Sequence, residues 1–201
     1  LLYRAIQADK LSSVIFYGPP GTGKTTLAKV IANTTSAVFR QVNATSAGKK
    51  DMEEVVQEAK NQAGMYGKKT ILFIDEIHMI VGAGACSNDE SLDFSNALKP
   101  LLAGDKSIVI GATTEEEYQK AFSKEGALKR RFRTIEIKEP KAEEVYPMLK
   151  ESVKRLEQFH GVKISRKMID KIIFYSSCFD YTTCNPDRTT VSYTHLTLPT
   201  N

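Results

Sequence analysis

Strand-like and helix-like segments alternate through the first 138 residues of the chain. Short segments with the length and composition of strands occur at 14–17, 37–42, 70–74, 107–111 and 134–137. Between them, helical spacing of apolar residues appears after Thr25, from Asp51 to Ala63 and around 115–122. This order predicts an α/β fold in which five parallel strands are joined by crossover helices.

The pattern becomes helical from Pro140 onward. One predicted helical face carries Val145, Met148, Leu149, Val153 and Leu156. A second helix is predicted near 166–175, because apolar residues again recur at helical spacing. We therefore expect an α/β core at residues 1–138 and a partial, truncated helical lid at residues 139–188.

Composition narrows the function only slightly. The 201 residues include 28 basic and 24 acidic side chains, and a net charge of +4 neither requires nor excludes a nucleic-acid partner. Three cysteines without paired spacing favour free thiols in a cytoplasmic protein. No apolar stretch is long enough to span a membrane, so no membrane partner is expected. The first residue is Leu, and we expect a piece of a longer protein.

Residues 18–25 form a complete phosphate-binding loop, G-x-x-x-x-G-K-[ST], between a strand and a helix. Its backbone amides and the following helix would hold phosphate oxygens of ATP, while Lys24 would reach the β- and γ-phosphates and Thr25 would bind Mg²⁺. An ordinary Gly/Pro turn would not need Gly, Lys and Thr at these offsets. The predicted ATP contacts are Gly18, Pro19, Pro20, Gly21, Thr22, Gly23, Lys24, Thr25 and Thr26.

An acidic pair, Asp75 and Glu76, follows the apolar run at 70–74. The carboxyl ends of parallel strands form the edge where open α/β sheets bind ligands. Asp75 is therefore predicted to hold Mg²⁺, partly through water, and Glu76 to polarise the attacking water as a general base. By itself such a pair is more often the start of a solvated loop. The phosphate loop upstream favours the catalytic interpretation.

With these motifs the chain resembles the AAA+ ATPases over residues 1–188. Residues 1–70, including 11–20 and 42–51, resemble the bacterial replication-associated recombination ATPase RarA (also MgsA), a DNA-acting family related to clamp loaders. From residue 71 onward the chain is similar to the first ATPase module of Clp unfoldases (ClpA, ClpB and ClpC). The motifs that carry this second resemblance lie at 79–85, 93–100, 110–114 and 127–132.

The resemblance implies roles for three further residues. Thr114, or its neighbour Thr113, takes the position of a hydroxyl that senses the γ-phosphate. Arg130 and Arg131 take the arginine-finger positions, which reach the nucleotide of a neighbouring subunit, so the resemblance implies a ring oligomer. From composition alone, residues 129–133 would be a solvated basic turn. His78 is expected to be structural, because a single imidazole beside an acidic pair lacks the partners of a metal site.

Three functions remain open at this point. Clp modules carry an aromatic pore loop between the two nucleotide motifs, yet residues 43–59 contain no aromatic side chain. The chain could be a protein-remodelling motor, a DNA-transaction ATPase, or a non-functional composite of two families that folds and binds nucleotide without turnover. Residues 191–200 resemble a translated sequencing adapter. We therefore expect residues 189–201 to be a non-native tail, extended and exposed from about Val191.

Overall fold

Strands and helices alternate along the chain in the order that the hydrophobic pattern predicts. The structure is a computed structural model that describes residues 2–8, 10–35, 37–47, 50, 54–55, 57–58, 61, 69–81, 98, 101–102, 107–122, 129–179 and 183–197. The strands are β1 Val14–Tyr17, β2 Val38–Asn43, β3 Thr70–Asp75, β4 Ser107–Thr113 and β5 Arg133–Glu136. Helices span α1 Leu2–Gln7, α2 Lys24–Thr34, α3 His78–Val81, α4 Glu115–Phe122, α5 Ala142–His160, α6 Arg166–Phe179 and α7 Asp187–Thr197.

The five strands form one parallel sheet in the order β2-β3-β4-β1-β5. The apolar run of β3 is buried throughout, as expected for a central parallel strand that is covered on both faces. Tyr17 at the end of β1 lies beside Thr113 at the end of β4, and Asn43 of β2 lies beside Asp75 of β3. The predicted α/β class is confirmed, and the strand ends that carry the motifs share one edge.

By its internal contacts the chain divides into two units. The first comprises Leu1–Tyr17 and Lys24–Glu136, and it contains the sheet. Its core joins aliphatic side chains of the strands to Phe122 of α4 and Phe132, which precedes β5. The helix predicted from Asp51 to Ala63 lies mainly outside the described residues.

The second unit comprises Gly18–Gly23 and Ile137–Asn201. Its core is an aliphatic cluster between α5 and α6, formed by Val145, Leu149, Val153, Ile169 and Ile173. The prediction that Met148 belongs to the buried face is wrong, because 55% of its surface is exposed. Met148 lies one residue before Leu149, and the rotation of about 100° per residue turns it away from the cluster. None of the described helices is long and apolar enough to cross a membrane.

The prediction of an extended tail from about Val191 is wrong, because α7 runs from Asp187 to Thr197. The start of this helix is held by buried polar contacts. The hydroxyl of Thr189, which is fully buried, donates to Asn185 Oδ1 at 2.6 Å. Asn185 in turn donates to the Glu139 carboxylate from its backbone and side-chain nitrogens, at 3.0 and 3.2 Å. A helix that is anchored by hydrogen bonds leaves no apolar periodicity in the sequence. The origin of residues 189–201 stays a prediction.

Candidate active site

Three glycines of the phosphate loop have left-handed backbone angles. The φ values are 145° at Gly18, 79° at Gly21 and 84° at Gly23. A side chain at Gly18 would also collide with the carbonyl oxygen of Ile137, and one at Gly21 would come within 2.9 Å of the carbonyl oxygen of Cys184. These angles and close approaches explain why glycine is needed at the first two positions.

Hydrogen bonds within the second unit hold the loop in shape. The Thr22 hydroxyl donates to the carbonyl oxygen of Pro19 at 2.9 Å. The backbone N–H groups of Cys184 and Asp187 donate to the carbonyls of Pro20 and Gly21, both at 3.3 Å. Since the carbonyls are engaged in this way, the loop keeps the turn-like conformation in which successive N–H groups can form an anion-binding concavity.

Lys24 and Thr25 form the first turn of α2. The Lys24 ammonium lies close enough to Glu76 to act on that carboxyl electrostatically. Thr25 and the Asp75 carboxylate at the end of β3 offer oxygen atoms, which are the ligands that Mg²⁺ prefers. The chemistry of these oxygen donors fits Mg²⁺, and their assignment to the ion stays a prediction. Thr26, the last of the predicted ATP contacts, is exposed on the next position of α2.

Glu76 occupies a strained turn directly after β3. It has a φ of 55°, in the left-handed region that side chains other than glycine seldom adopt. The turn is held from its far side, because Ile77 is fully buried and its N–H donates to the carbonyl of Ala112 at 3.0 Å. Such backbone strain concentrates at functional sites. Because of this turn, the Glu76 side chain leaves the backbone in a different direction from that of a residue in a continuing strand.

The Glu76 carboxyl lies in an environment that favours its protonated form. Partial burial raises its pKa above the ordinary value, and the nearby carboxylates of Glu117 and Asp75 raise it further. His78 and Lys24 act in the opposite direction. A carboxyl group with a raised pKa is better matched to a general base than an ordinary surface glutamate.

Glu117, which the sequence analysis did not single out, closes the N-terminus of α4. Its Oε2 accepts the Thr114 hydroxyl at 2.7 Å and the Thr114 N–H at 3.4 Å, while the Glu117 N–H points to Thr114 Oγ1 at 3.4 Å. This reciprocal pair is a capping box, and the spacing T-x-x-E was the signal that could have revealed it. Burial acts to raise the pKa of Glu117, but the hydrogen bonds from Thr114 and the charge of His78 outweigh it and lower that pKa.

The end of β1 helps to position α4 at the sheet edge. The ring of Tyr17 stacks on the ring of Tyr118 with centroids 4.7 Å apart, and Tyr118 stacks in turn on Phe122 at 5.2 Å.

The two threonines that were predicted to sense the γ-phosphate lie in different surroundings. Thr113 is buried at the end of β4, whereas Thr114 caps the helix and is partly exposed.

His78 has partners that the sequence did not reveal. Its Nδ1 lies 3.1 Å from Thr113 Oγ1, 3.4 Å from Glu76 Oε2 and 3.3 Å from Glu117 Oε2. The prediction that His78 lacks the partners of a metal site is therefore wrong. Glu117 lies 39 positions further along the chain, and only the pairing of β3 with β4 brings it to the histidine.

Arg130 and Arg131 lie on an exposed turn before β5. The next residue, Phe132, is buried in the core of the first unit and anchors this turn. Both guanidinium groups are therefore available to a partner molecule. Their assignment as arginine fingers stays a prediction.

A cavity of about 720 Å³ opens beside β5 in the first unit. Its lining comes from α1, residues 10–12, Val14 and residues 132–136. None of the predicted site residues lines this cavity, and the sequence pattern carried no sign of it.

A parallel sheet with a phosphate loop after β1 and an acidic pair after β3 defines an α/β nucleotide-binding ATPase of the phosphate-loop class. The family described as "ATPase family associated with various cellular activities (AAA)" matches residues 14–139. The chain belongs to this AAA family.

Curated relatives are chaperone proteins named ClpB. The one from Mycoplasmoides gallisepticum is 33% identical over 182 residues, which cover 81% of this chain and 25% of the relative. The one from Aquifex aeolicus is 36% identical over 174 residues, which cover 79% of this chain and 17% of the relative. The chain thus spans a quarter or less of the length of these relatives. Residues 71–201 make up a smaller part of this chain than the 79% and 81% that these two matches cover. Both matches therefore include residues before 71, and the similarity to ClpB extends into the first seventy residues.

Solved structures agree with this family. A closed-state reconstruction of Hsp104 with ATPγS and FITC casein matches with a TM-score of 0.74 and 26% identity, over 94% of this chain and 35% of the Hsp104 chain. The AAA domain of FIGL-1 in complex with ADP matches with a TM-score of 0.58 and 24% identity, over 81% of this chain and 54% of that chain. The second match supports the fold alone.

Proposed function

We propose that this chain is the ATP-hydrolysing core of an oligomeric, cytoplasmic protein-remodelling ATPase of the ClpB and Hsp104 type. The observation that carries the proposal is the position of Glu76. It lies in a strained turn at the sheet edge, beside Lys24, with a carboxyl group whose pKa is raised. This is the environment that a general base for water attack on a nucleotide requires.

Each residue of the site has a separate role in this proposal. The phosphate loop and Lys24 hold the triphosphate, while Thr25 and Asp75 would hold Mg²⁺. The ion, when bound, neutralises charge on the β- and γ-phosphate oxygens. Glu76 accepts the proton of the attacking water, and its raised pKa makes the protonated state accessible.

Thr114 is proposed to orient the attacking water. A hydroxyl has one proton, and the Thr114 proton is directed to Glu117 at 2.7 Å. The oxygen also receives the Glu117 N–H at 3.4 Å, which leaves one lone pair that can accept a hydrogen bond from water. In this arrangement Thr114 would contact the γ-phosphate through the water it holds, because it has no second proton to donate directly.

Arg130 and Arg131 are proposed to act on the nucleotide of a neighbouring copy in a ring. A guanidinium delivered in trans stabilises the charge that develops on the transferred phosphoryl group. Their exposure on an anchored turn fits this role.

The remodelled substrate is proposed to be a polypeptide. The ClpB relatives are named chaperones, and the Hsp104 structure was determined with FITC casein. A RarA-type DNA-transaction ATPase and a composite that binds nucleotide without turnover are the two alternatives from the sequence, and the experiment below separates them.

The experiment compares ATP binding by calorimetry and phosphate release for the parent chain, Lys24→Ala and Glu76→Gln. Lys24→Ala should lose nucleotide binding, because charge-assisted hydrogen bonds to phosphate disappear while little packing is lost. Glu76→Gln should bind ATP and not hydrolyse it. Turnover in Glu76→Gln at the parent rate would exclude Glu76 as the base.

The same assay, repeated with unfolded casein and with forked DNA, decides the substrate. Stimulation of turnover by casein supports the remodelling function, and stimulation by DNA instead would replace it with the RarA-type function. The composite of two families would be favoured if the parent chain binds nucleotide but does not hydrolyse it, whether it is alone, with casein or with forked DNA.

A further inference from the structure

Three metal-ligating side chains from separate segments converge beside the sheet edge. They are Glu76 after β3, His78 at the start of α3 and Glu117 in α4, and one ligand atom from each lies within 4.8 Å of the others. The atoms concerned are the histidine Nδ1 and a carboxylate oxygen of each glutamate. Thr113 Oγ1 is a further neighbour, 3.1 Å from the ring nitrogen.

All three ligand atoms are acceptors when His78 is neutral with its proton on Nε2. Two carboxylate oxygens then face a ring lone pair at 3.4 and 3.3 Å. The Thr113 hydroxyl can donate to only one of these acceptors at a time, and the others repel one another unless a cation lies between them. The cation can be a proton on Nδ1 or a metal ion.

The two distances from the histidine nitrogen fit a tetrahedral metal centre. Bonds of about 2.0–2.1 Å, typical of Zn²⁺ with nitrogen and oxygen ligands, place two tetrahedral ligands about 3.3–3.4 Å apart. The distances from His78 Nδ1 to the two carboxylate oxygens have these values. One histidine and two carboxylates leave the fourth position for water.

We propose that Glu76, His78 and Glu117 form a binding site for a divalent transition metal of the zinc class. This site is different from the magnesium position on the nucleotide, because an imidazole nitrogen suits zinc whereas Mg²⁺ requires six oxygen ligands in octahedral geometry. The site needs no nucleotide, so its existence does not rest on the proposed ATPase activity.

Occupation of this site has a functional consequence that does rest on the proposed function. A zinc ion would hold the Glu76 carboxylate through the lone pair that the general base needs. It would also compete with the Thr114 hydroxyl for the Glu117 oxygen that accepts it. The zinc-bound protein would therefore be catalytically inactive. Binding of the metal at this site would inhibit nucleotide hydrolysis.

The test is calorimetric titration of the full chain with ZnCl₂, in a reducing buffer with excess MgCl₂ and no nucleotide. The variants are His78→Asn and Glu117→Gln, with His160→Asn at the end of α5 as the matched control. We expect a binding step in the parent and in the control that persists in magnesium. Loss of one ligand should weaken this step by at least about tenfold in both site variants.

Titration with Co²⁺ gives a second measurement on the unmodified chain. Nitrogen and oxygen ligands should give weak visible bands without the intense near-ultraviolet absorption of a thiolate complex. The proposal is overturned if His78→Asn binds zinc as the parent does, or if the cobalt form shows thiolate absorption alone. If circular dichroism shows that His78→Asn does not fold, the zinc affinity of Glu117→Gln and the cobalt spectrum of the parent decide the result.

Discussion

Glu117 links the stability of a helix to the chemistry of the site. Its carboxylate completes the capping box with Thr114 and also lies 3.3 Å from His78 Nδ1. The same negative charge raises the pKa of Glu76. A single residue outside both nucleotide motifs thus fixes a hydroxyl group and adds to the rise in the pKa of the proposed base, which burial begins.

Replacing Glu117 by glutamine should move the pH dependence of ATP hydrolysis. Glu76 must be unprotonated to act as a base, so its raised pKa places the acid limb of kcat/KM above the range of an ordinary glutamate. The amide of the variant would keep an acceptor oxygen for Thr114 and remove the negative charge. The pKa of Glu76 then falls, and the acid limb should shift to lower pH.

A pH profile of kcat/KM for the parent, Glu117→Gln and Glu116→Gln checks this expectation. Glu116 is the matched control, because it lies on the same first turn of α4 and is exposed. An acid limb that stays in place in Glu117→Gln, or moves equally in Glu116→Gln, would contradict the assignment.

At the scale of elements, the segment that leads into α7 is joined by polar contacts. Arg188 is buried, its Nε donates to the Thr183 carbonyl at 2.7 Å, and its Nη1 lies 3.5 Å from the Glu139 carboxylate. The Asn185 side chain connects the same carboxylate to the Thr189 hydroxyl. Buried polar groups are costly when unpaired, so this network holds the helix start in one position.

Thr189→Val should destabilise the fold. The substitution keeps the side-chain volume but leaves Asn185 Oδ1, which is buried, without the hydroxyl that donates to it. The expected loss in the free energy of unfolding is about 1–3 kcal/mol. The melting temperature of a chain of this size falls by about 2–4 °C for each kcal/mol of stability lost.

Thermal melting followed by circular dichroism measures this shift. Ser192→Ala is the control, because that partly exposed hydroxyl donates only to the Arg188 carbonyl of its own helix, and we expect a change within about 0.5 kcal/mol. If the melting temperature of Thr189→Val equals that of the control, the network does not stabilise α7. That result would favour a tail that takes no part in the fold.

For the whole molecule, the proposed mechanism uses residues of two copies. Lys24, Glu76 and Thr114 would act on the nucleotide of their own copy, and Arg130 and Arg131, which lie on an exposed turn before β5, on the nucleotide of a neighbour. The proposal therefore requires a second copy to deliver the guanidinium groups. Oligomerisation and turnover should be coupled.

Double replacement of Arg130 and Arg131 by Ala should lower turnover by roughly 10³-fold or more, the size of the effect known for arginine fingers. The nucleotide affinity of an isolated subunit should not change. Mixing this variant with Lys24→Ala should restore part of the activity, since some interfaces then pair an intact phosphate loop with intact arginines. Subunit exchange is checked by native mass spectrometry. An assembly that is mixed but inactive would contradict action in trans.

Features that depend on local pattern can be read from the sequence without the structure. Apolar runs of strand length alternate with helical segments, which defines the parallel α/β class without knowledge of any contact. The helix at 115–122 was predicted with the bounds that the structure has. The phosphate loop was readable because glycines and a lysine at fixed offsets satisfy backbone and charge requirements that few other loops share.

Features that depend on contacts between distant segments became visible only in the folded chain. His78 meets Glu117 only because β4 pairs beside β3, and no periodicity within either segment records that pairing. The raised pKa of Glu76 follows from burial and neighbouring charges that chain order does not display. The helix α7 likewise depends on Asn185 and Glu139, which lie 46 positions apart, and polar contacts over such a separation leave no hydrophobic pattern in the sequence.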